Sequence, residues 1–256
     1  MIFLFISWNL LKFNLICKKI FYFWRFHISY STLLFDIDDT LLDFHATENR
    51  ALELLFEKHG IELTDTVKDN YVKFNQSLWK KLELGEISRQ ELMTNRFTTF
   101  FKKEFDLNID GLSLNREYLE FLSTGTDTIP GAKDLLSTLK KSGHKLYVVT
   151  NGIDFVQERR LRNTGFNSFF DDIFISQKIG YQKPDARFFK NVFNELSEFN
   201  PDDTLIVGDS LTSDIQGGHN ANIDSIWYNP KLSPIDKKIT PTYQVNNLQD
   251  ILQIVG

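Results

Sequence analysis

The sequence predicts an α/β protein with a doubly wound, Rossmann-like parallel sheet and an all-helical unit inserted after the first strand. Two observations lead to this prediction. Short apolar runs alternate with longer stretches of helical periodicity, which is the order that strands and helices take in a parallel sheet. The stretch from Ala46 to about Ser123 interrupts that alternation, because its apolar residues recur at helical spacing and it contains no convincing strand.

Five apolar runs are predicted to be the buried strands. The first, Thr32 to Ile37, leads directly into acidic residues, as a parallel strand does when its carboxyl end faces a reactive site. The other four are separated from one another by helical patterns: Lys145 to Val149, Asp172 to Ile175, Thr204 to Val207 and Ser225 to Tyr228. Together the five runs predict one open parallel sheet.

The interrupting stretch predicts a separate unit of about four helices. Pro130-Gly131 marks the return of the chain to the sheet. We therefore expect a core domain at residues 31–44 and 126–256, and a helical cap domain at residues 45–125.

Residues 1–30 differ from the rest of the chain, because they are rich in Phe and Ile and contain basic but no acidic residues. The longest charge-free run, Met1 to Leu11, is too short to span a bilayer, and the pattern of a signal peptide is missing. We expect this extension to be translated sequence upstream of the domain's own start, which would lie near Ser29 to Thr32. A basic amphipathic helix on a membrane surface is the alternative.

The composition limits the partners and the location. A net charge of -5 and a pI of about 5.6 give no broad positive field, so we expect no nucleic acid partner. Cys17 is the single cysteine, which excludes an internal disulfide, and no Cys/His cluster has the spacing of zinc ligands. A reducing, cytoplasmic location is expected, and the oligomeric state is open between a monomer and a weak dimer.

Reactive side chains collect where the predicted strands end. Because the carboxyl ends of parallel strands lie at one edge of a sheet, polar residues that follow different strands are expected to meet there. These residues are Asp36, Asp38, Asp39 and Thr40 after the first strand, Thr150, Asn151 and Gly152 after the second, Lys183 before the fourth, and Asp209, Ser210 and Asp214 after it. Carboxylates, a hydroxyl and an ammonium at one edge predict a site for a phosphate and for Mg²⁺, which prefers oxygen ligands such as those of Asp36 and Asp209.

The spacing of the acids suits phosphoryl transfer. Of two carboxylates two residues apart, one can attack phosphorus while the other passes a proton to the leaving oxygen. A carboxylate is a weak nucleophile, so it needs a metal ion and a cation, here Mg²⁺ and Lys183, to offset repulsion from the phosphate. Thr150 and the backbone N–H groups around Asn151 and Gly152 can donate hydrogen bonds to phosphoryl oxygens. Each segment alone is also typical of a turn or a helix cap, so the prediction depends on their combination.

These four segments resemble the four motifs of the haloacid dehalogenase superfamily of phosphatases, over the chain from about Thr32 to its end. The resemblance implies a phosphomonoester substrate and four catalytic residues. Asp36 would be the nucleophile and Asp38 the general acid and base. Thr150 would donate its hydroxyl to the phosphate, and Lys183 would stabilise the negative charge.

The resemblance also implies a metal site and a type of cap. Mg²⁺ would be bound by Asp36, the backbone carbonyl of Asp38, and Asp209. Asp214 and Ser210 would support these ligands without binding the metal themselves. The helical insert resembles the first type of cap domain in this superfamily.

Two further stretches resemble the pyrimidine 5′-nucleotidase group, which implies a nucleoside monophosphate such as dUMP, UMP or dTMP as the substrate. One lies in the insert, from Asn75 to Trp79 and on through Arg96-Phe97, and the other comprises Gly217-Gly218 and Trp227 to Pro230. Trp79 is expected either to stack on the base or to pack inside the helix bundle.

Other activities stay open. The same motifs serve phosphatases whose caps select a small sugar phosphate or phosphoglycolate. Removal of halide from a haloacid is disfavoured by Asp38 and the magnesium-binding acids, because displacement at carbon needs neither a metal nor a proton for the leaving group. From a different class, a non-catalytic binding or membrane-surface protein is the remaining alternative.

Overall fold

The structure, a computed structural model, describes residues 30–235 and 238–256. The predicted extension therefore lies outside the described residues, except for its last residue, Tyr30. Its membrane-helix alternative and Cys17 lie outside them too.

A single sheet of six parallel strands forms the centre of the molecule. The strands are β1 (Thr32–Phe35), β2 (Lys145–Thr150), β3 (Asp172–Ile175), β4 (Thr204–Gly208), β5 (Asp224–Tyr228) and β6 (Tyr243–Val245). Their order in the sheet is β3-β2-β1-β4-β5-β6. This arrangement confirms the predicted α/β class. The prediction lacks β6, because three residues are too few to produce an alternating pattern.

Strand order reverses at β1, which lies in the middle of the sheet. It pairs with β2 on one side and β4 on the other, so that Phe35 lies opposite both Val148 and Val207. The residues that follow these three strands therefore emerge side by side. Open parallel sheets bind ligands at such a reversal point, and all four predicted motifs converge on it.

Four helices follow β1, as the pattern of the insert predicts: α1 (Phe44–Lys58), α2 (Asp65–Glu83), α3 (Arg89–Phe105) and α4 (Gly111–Ser123). Each begins after a side chain that accepts a hydrogen bond from the backbone N–H three residues later, and these caps are Asp43, Thr64, Ser88 and Asp110. The caps satisfy N–H groups that have no partner within the helix. At Ser88 the bond is reciprocal, because Glu91 accepts from the Ser88 N–H at 2.7 Å.

The remaining helices belong to the sheet domain: α5 (Ala132–Lys141), α6 (Asp154–Thr164), α7 (Ser176–Ile179), α8 (Ala186–Glu195), α9 (Gln216–Ala221) and α10 (Ile251–Val255). A π-helical turn, Leu211–Ile215, leads into α9. Helix α8 begins at Ala186, with Asp185 as its N-cap. Lys183 itself stays in the preceding loop, and its peptide bond to Pro184 is cis.

Alternate residues of each strand pack into cores on opposite faces of the sheet. Phe35 and Val207 pack with α5 and α10 on one face, whereas Leu34 and Ile206 pack with α8 on the other. The insert forms a core separate from these two, to which Val156 of α6 also belongs. It is rich in aromatic side chains: Phe56, Tyr71, Phe97, Phe100, Phe101 and Tyr118. This separate core supports the division of the chain at residues 45 and 125, which we retain as a proposal.

The insert leaves and rejoins the sheet domain through two adjacent antiparallel segments. The Asp43 N–H donates to the Asp127 carbonyl at 3.0 Å, and the Ile129 N–H donates to the Leu41 carbonyl at 2.9 Å. Leu42 pairs with Thr128 in a β-bridge between them. Both ends of the insert are therefore fixed close together beside the end of β1.

Candidate active site

A cavity of about 730 Å³ lies between the carboxyl ends of the strands and the insert. Thr40 is fully buried and does not line this cavity. The other polar residues predicted to meet at this edge line it together with Trp79: Asp36, Asp38, Asp39, Thr150, Asn151, Gly152, Lys183, Asp209, Ser210 and Asp214. The structure thus brings together residues that are far apart in the sequence. The volume of the cavity is in the range of sites that enclose small-molecule ligands.

Lys183 is the central cation of the site. Its buried ammonium donates hydrogen bonds to Asp36 Oδ1 at 2.6 Å, to Asp214 Oδ1 at 2.7 Å and to the Val149 carbonyl at 2.7 Å. Burial opposes the charged form, but the two carboxylates outweigh it and raise the pKa of Lys183. All three ammonium protons are engaged, which fixes the position of Nζ.

Three carboxylates meet beside this lysine. Asp36, Asp209 and Asp214 each place an oxygen within 4.8 Å of the other two. Burial raises the pKa of Asp36 to about 8 although Lys183 opposes it, and burial with the neighbouring Asp36 raises the pKa of Asp209 well above its usual range. The single positive charge of Lys183 does not balance the negative charges of three ionised carboxylates.

This donor set fits a divalent cation with oxygen ligands. Both oxygens of Asp214 are already engaged, since Oδ1 accepts from Lys183 and Oδ2 accepts from the Ser210 N–H at 3.1 Å. Lys183 and the Ser210 N–H thus hold Asp214 in place, which leaves Asp36 and Asp209 with more free carboxylate oxygen than Asp214. A bound cation would also favour the ionised form of the two raised carboxyls.

Close packing holds Asp214 in this position. A Cβ added at Gly208, the last residue of β4, would lie 2.2 Å from Asp214 Cγ and 2.2 Å from its Oδ2. Glycine is therefore required there for the carboxylate to reach Lys183.

Thr150 and Asn151 are positioned by hydrogen bonds around β2. Thr150 Oγ1 accepts from the Gly152 N–H at 3.0 Å and from Gln157 Nε2 at 2.9 Å, so its own O–H can be directed at a ligand. The sequence predicts that the Gly152 N–H donates to a phosphate, whereas in the structure it donates to Thr150. The Asn151 side chain accepts from the Lys183 N–H and donates to the Lys183 carbonyl, each at 2.9 Å. Asn151 thereby fixes the backbone of Lys183.

Asp38 is held by two residues that sequence reasoning missed. Gln157 Nε2 donates to Asp38 Oδ2 at 2.9 Å, and Arg160 Nη1 forms a short ion pair with Asp38 Oδ1. Gln157 and Arg160 lie one turn apart on α6 and are both almost fully buried. A polar pair three residues apart, on the helix face that also carries Val156 and Leu161, is the sequence signal that could have identified them.

The insert closes over this edge of the sheet through specific polar contacts. Arg89, at the start of α3, donates to the Asn151 carbonyl at 2.9 Å and to Ser176 Oγ at 2.7 Å. Thr212 Oγ1 donates to Glu83 of α2 at 2.7 Å. These contacts connect α2 and α3 to the loops that follow β2, β3 and β4.

Trp79 combines features of both of its predicted roles, packing in the helix bundle and contact with a base. It is partly buried against the aromatic core of the insert, and it also lines the cavity. The Arg89 guanidinium lies 5.8 Å from the centre of its ring. The indole is thus held in place by packing and still presents a surface to a ligand.

A buried polar network supports the same wall of the cavity. Glu48 Oε1 accepts from Asn75 Nδ2 at 2.6 Å and from the Tyr118 hydroxyl at 3.3 Å. Arg96 donates to Asn75 Oδ1 at 3.1 Å and, through a short bond, to Asn115. Burial raises the pKa of Glu48 to about 7, although the Asn75 hydrogen bond and the charge of Arg96 oppose it. Asn75 and Arg96 both line the cavity.

Within residues 30–235 and 238–256, no helix has the length and apolar character needed to cross a membrane.

Comparison with known proteins places these observations in a family context. Residues 30–222 match the model of the haloacid dehalogenase-like hydrolases. The HAD-hydrolase YfnB of Bacillus subtilis is 44% identical over 227 residues, which cover 89% of this chain and 96% of YfnB. A crystal structure of YfnB bound to magnesium superposes with a TM-score of 0.85, covering 89% of this chain and 99% of that one.

Two further relatives carry a named activity. The pyrimidine 5′-nucleotidase PynA of Streptococcus pneumoniae is 44% identical over 223 residues, which cover 87% of this chain and 94% of PynA. The pyrimidine 5′-nucleotidase YjjG of Escherichia coli is 28% identical over 223 residues, with coverage of 87% and 96%.

Proposed function

Because this chain belongs to the haloacid dehalogenase-like hydrolase family, we propose that it is a Mg²⁺-dependent phosphomonoester hydrolase that forms an aspartyl-phosphate on Asp36. The observation that carries the proposal is the position of Lys183 between Asp36 and Asp214, with Asp209 completing the acidic cluster. A fixed cation among several carboxylates is suited to bind a phosphate and a divalent metal together.

The metal fits the residues present. Asp36, the Asp38 backbone carbonyl and Asp209 would hold Mg²⁺, whose charge offsets the repulsion between a carboxylate and a phosphate. The Thr150 hydroxyl would donate to a phosphoryl oxygen. Lys183, whose three protons are already engaged, would contribute its positive charge beside Asp36.

The reaction proceeds in two halves. A carboxylate oxygen of Asp36 attacks phosphorus, the bond from phosphorus to the ester oxygen breaks, and Asp38 gives its proton to the departing alcohol. Water then attacks phosphorus, Asp38 takes a proton from that water, and the bond to Asp36 breaks. The products are an alcohol and inorganic phosphate, and both aspartates return to their starting states.

We further propose a pyrimidine nucleoside 5′-monophosphate as the substrate. Two relatives are named as pyrimidine 5′-nucleotidases, and one of them is 44% identical. The cavity continues from Lys183 past Trp79 into the insert, where a base can stack on the indole. The carboxamide of Asn75, held by Glu48 and Arg96, keeps one N–H and one lone pair for the edge of a base.

Phosphate release from a panel of substrates tests both the proposed phosphatase activity and the proposed nucleotide substrate. The panel contains UMP, dUMP, dTMP, CMP, AMP, a small sugar phosphate, phosphoglycolate and p-nitrophenyl phosphate, each with and without Mg²⁺. We expect turnover that requires Mg²⁺ and the highest kcat/KM on pyrimidine nucleotides. Higher kcat/KM on the sugar phosphate or phosphoglycolate would overturn the substrate assignment, and release from no substrate would overturn the phosphatase assignment.

Two variants separate the roles of the site. Asp36→Asn keeps the oxygen that accepts from Lys183 and should abolish turnover of every substrate. Trp79→Ala should raise KM for nucleotides about tenfold and leave p-nitrophenyl phosphate unaffected, in line with the energy of stacking one base. Leu84→Ala, an exposed change on the insert, is the control.

A further inference from the structure

In the proposed reaction Asp38 is the residue that both gives a proton to the leaving group and takes one from water. Each of its two carboxylate oxygens accepts a hydrogen bond from a neighbouring side chain. Oδ2 accepts from Gln157 and Oδ1 accepts from Arg160. Each carboxylate oxygen has two lone pairs, so each keeps one for a proton or a substrate. The two contacts therefore fix the orientation of the carboxyl group without blocking it.

Arg160 is a buried cation on α6. Its side chain is 1% exposed, and within the described residues its one ion-pair partner is Asp38. Its guanidinium carbon lies 5.9 Å from the ring centre of Phe44, the first residue of α1. Burying a guanidinium costs free energy that a single ion pair does not reliably return. Packing alone does not account for a charged residue here.

Gln157 connects two functional groups through one nitrogen. Its Nε2 lies 2.9 Å from Asp38 Oδ2 and 2.9 Å from Thr150 Oγ1, so a single amide sets the separation between them. Its Oε1 accepts from Arg160 Nη1 at 3.3 Å, which joins both side chains into one unit. A Cβ added at Gly152 would lie 2.5 Å from this Nε2, so glycine leaves the space that the amide occupies.

We propose that Arg160 and Gln157 are positioning residues that aim the carboxyl group of Asp38 at the oxygen of the leaving group. The proposal rests on the phosphatase function proposed above. As the bond between phosphorus and the ester oxygen breaks, the proton of Asp38 moves to that oxygen, and Asp38 becomes the carboxylate that Arg160 pairs with. In the second half the proton returns to Asp38 from water.

This role has a consequence that depends on the leaving group. An alkyl ester such as a nucleoside monophosphate needs protonation as its alcohol departs, whereas p-nitrophenolate is a stable anion and leaves without it. A misaimed Asp38 should therefore slow alkyl esters far more than p-nitrophenyl phosphate. A general loss of folding or of phosphate binding should slow both equally.

The test is the ratio of kcat/KM for UMP to kcat/KM for p-nitrophenyl phosphate, since kcat/KM covers only the steps through departure of the leaving group. We expect Arg160→Met and Gln157→Leu each to lower this ratio by about tenfold or more, within the range of general acid catalysis. Arg160→Lys, which keeps the charge, should recover part of the loss. Arg162→Met, an exposed change on the same helix, should leave the ratio unchanged.

Asp38→Asn separates failure of this proposal from failure of the proposed function. If wild-type protein hydrolyses neither substrate, or if Asp38→Asn leaves the ratio unchanged, the function assigned to Asp38 is wrong. If Asp38→Asn lowers the ratio and the Arg160 and Gln157 variants do not, only the positioning role is wrong. Should Arg160→Met fail to fold, Gln157→Leu decides the outcome alone.

Discussion

Lys183 Nζ lies 2.6 Å from Asp36 Oδ1 and 2.7 Å from Asp214 Oδ1, so one buried ammonium joins the proposed nucleophile to a second acid. Asn151 binds the backbone of the same lysine on both sides. The cation is therefore fixed through its backbone and through its side chain, and substitutions around it should have separable effects.

Lys183→Met should lower kcat by about 1,000-fold or more, because the charge that stabilises the transferring phosphoryl group is lost. It should also lower the melting temperature, because two buried acids lose their cation. Phosphate release and thermal unfolding measure these effects, with the exposed Lys133→Met as the control. A kcat within tenfold of wild type would contradict the role given to Lys183.

Gly208→Ala should act through Asp214. The added Cβ would overlap the Asp214 carboxyl, and paired strands on both sides of β4 prevent the backbone from moving away. We expect at least a tenfold loss of kcat/KM and weaker dependence on Mg²⁺. In a double-mutant cycle with Asp214→Ala the two losses should not add, and additive losses would show that Gly208 acts elsewhere.

Arg89→Ala should weaken closure of the insert over the site. The substitution removes hydrogen bonds to the Asn151 carbonyl and to Ser176, and a hydrogen bond from a charged donor contributes about 1.5–3 kcal/mol. We expect KM for nucleotides to rise at least tenfold, with a smaller effect for Ser176→Ala, which removes one bond. Arg116→Ala, exposed on α4, is the control, and equal KM values for all variants would exclude this role.

Glu48 should make stability depend on pH. Its folded pKa of about 7 lies above the value near 4 of an exposed glutamate, so the folded state binds the proton more tightly. This contribution is complete below about pH 4 and is lost as the pH rises through 7, and the shift corresponds to roughly 3–4 kcal/mol in all.

Glu48→Gln keeps an acceptor for Asn75 and Tyr118 but cannot ionise. Between pH 5 and pH 8 the melting temperature of wild type should therefore fall more than that of Glu48→Gln. The exposed Glu57→Gln should follow wild type. Parallel curves for wild type and Glu48→Gln would mean that Glu48 does not titrate in this range.

The reactive residues at the strand ends were predictable from two simple rules. Apolar runs followed by Asp36, Thr150 and Asp209 indicate buried strands, and parallel topology then places those residues together. The partners of these residues were not predictable in the same way. Gln157 and Arg160 share a helix face with Val156 and Leu161, but their contacts with Asp38 and Thr150 depend on how α6 packs in the tertiary structure.

Contacts between distant segments were also beyond the sequence pattern. Arg89 lies more than 60 residues from Asn151, and nothing in its neighbourhood distinguishes it from another charged residue at a helix start. Strand β6 depends on pairing with β5 and not on its own three residues. Local signals specify the elements, whereas tertiary packing specifies which polar groups meet.

The two antiparallel segments at residues 41–43 and 127–129 have a consequence for how such a protein can diverge. Because the Asp43 N–H bonds to the Asp127 carbonyl, a replacement segment of different length or composition needs only to bring its ends to the same two points. The sheet and its reactive groups would keep their register after such a graft. The helical insert, and with it the choice of substrate, could thus be replaced in evolution while the catalytic residues of the sheet stay in place. A chimaera joined at these residues would be a suitable starting point for engineering.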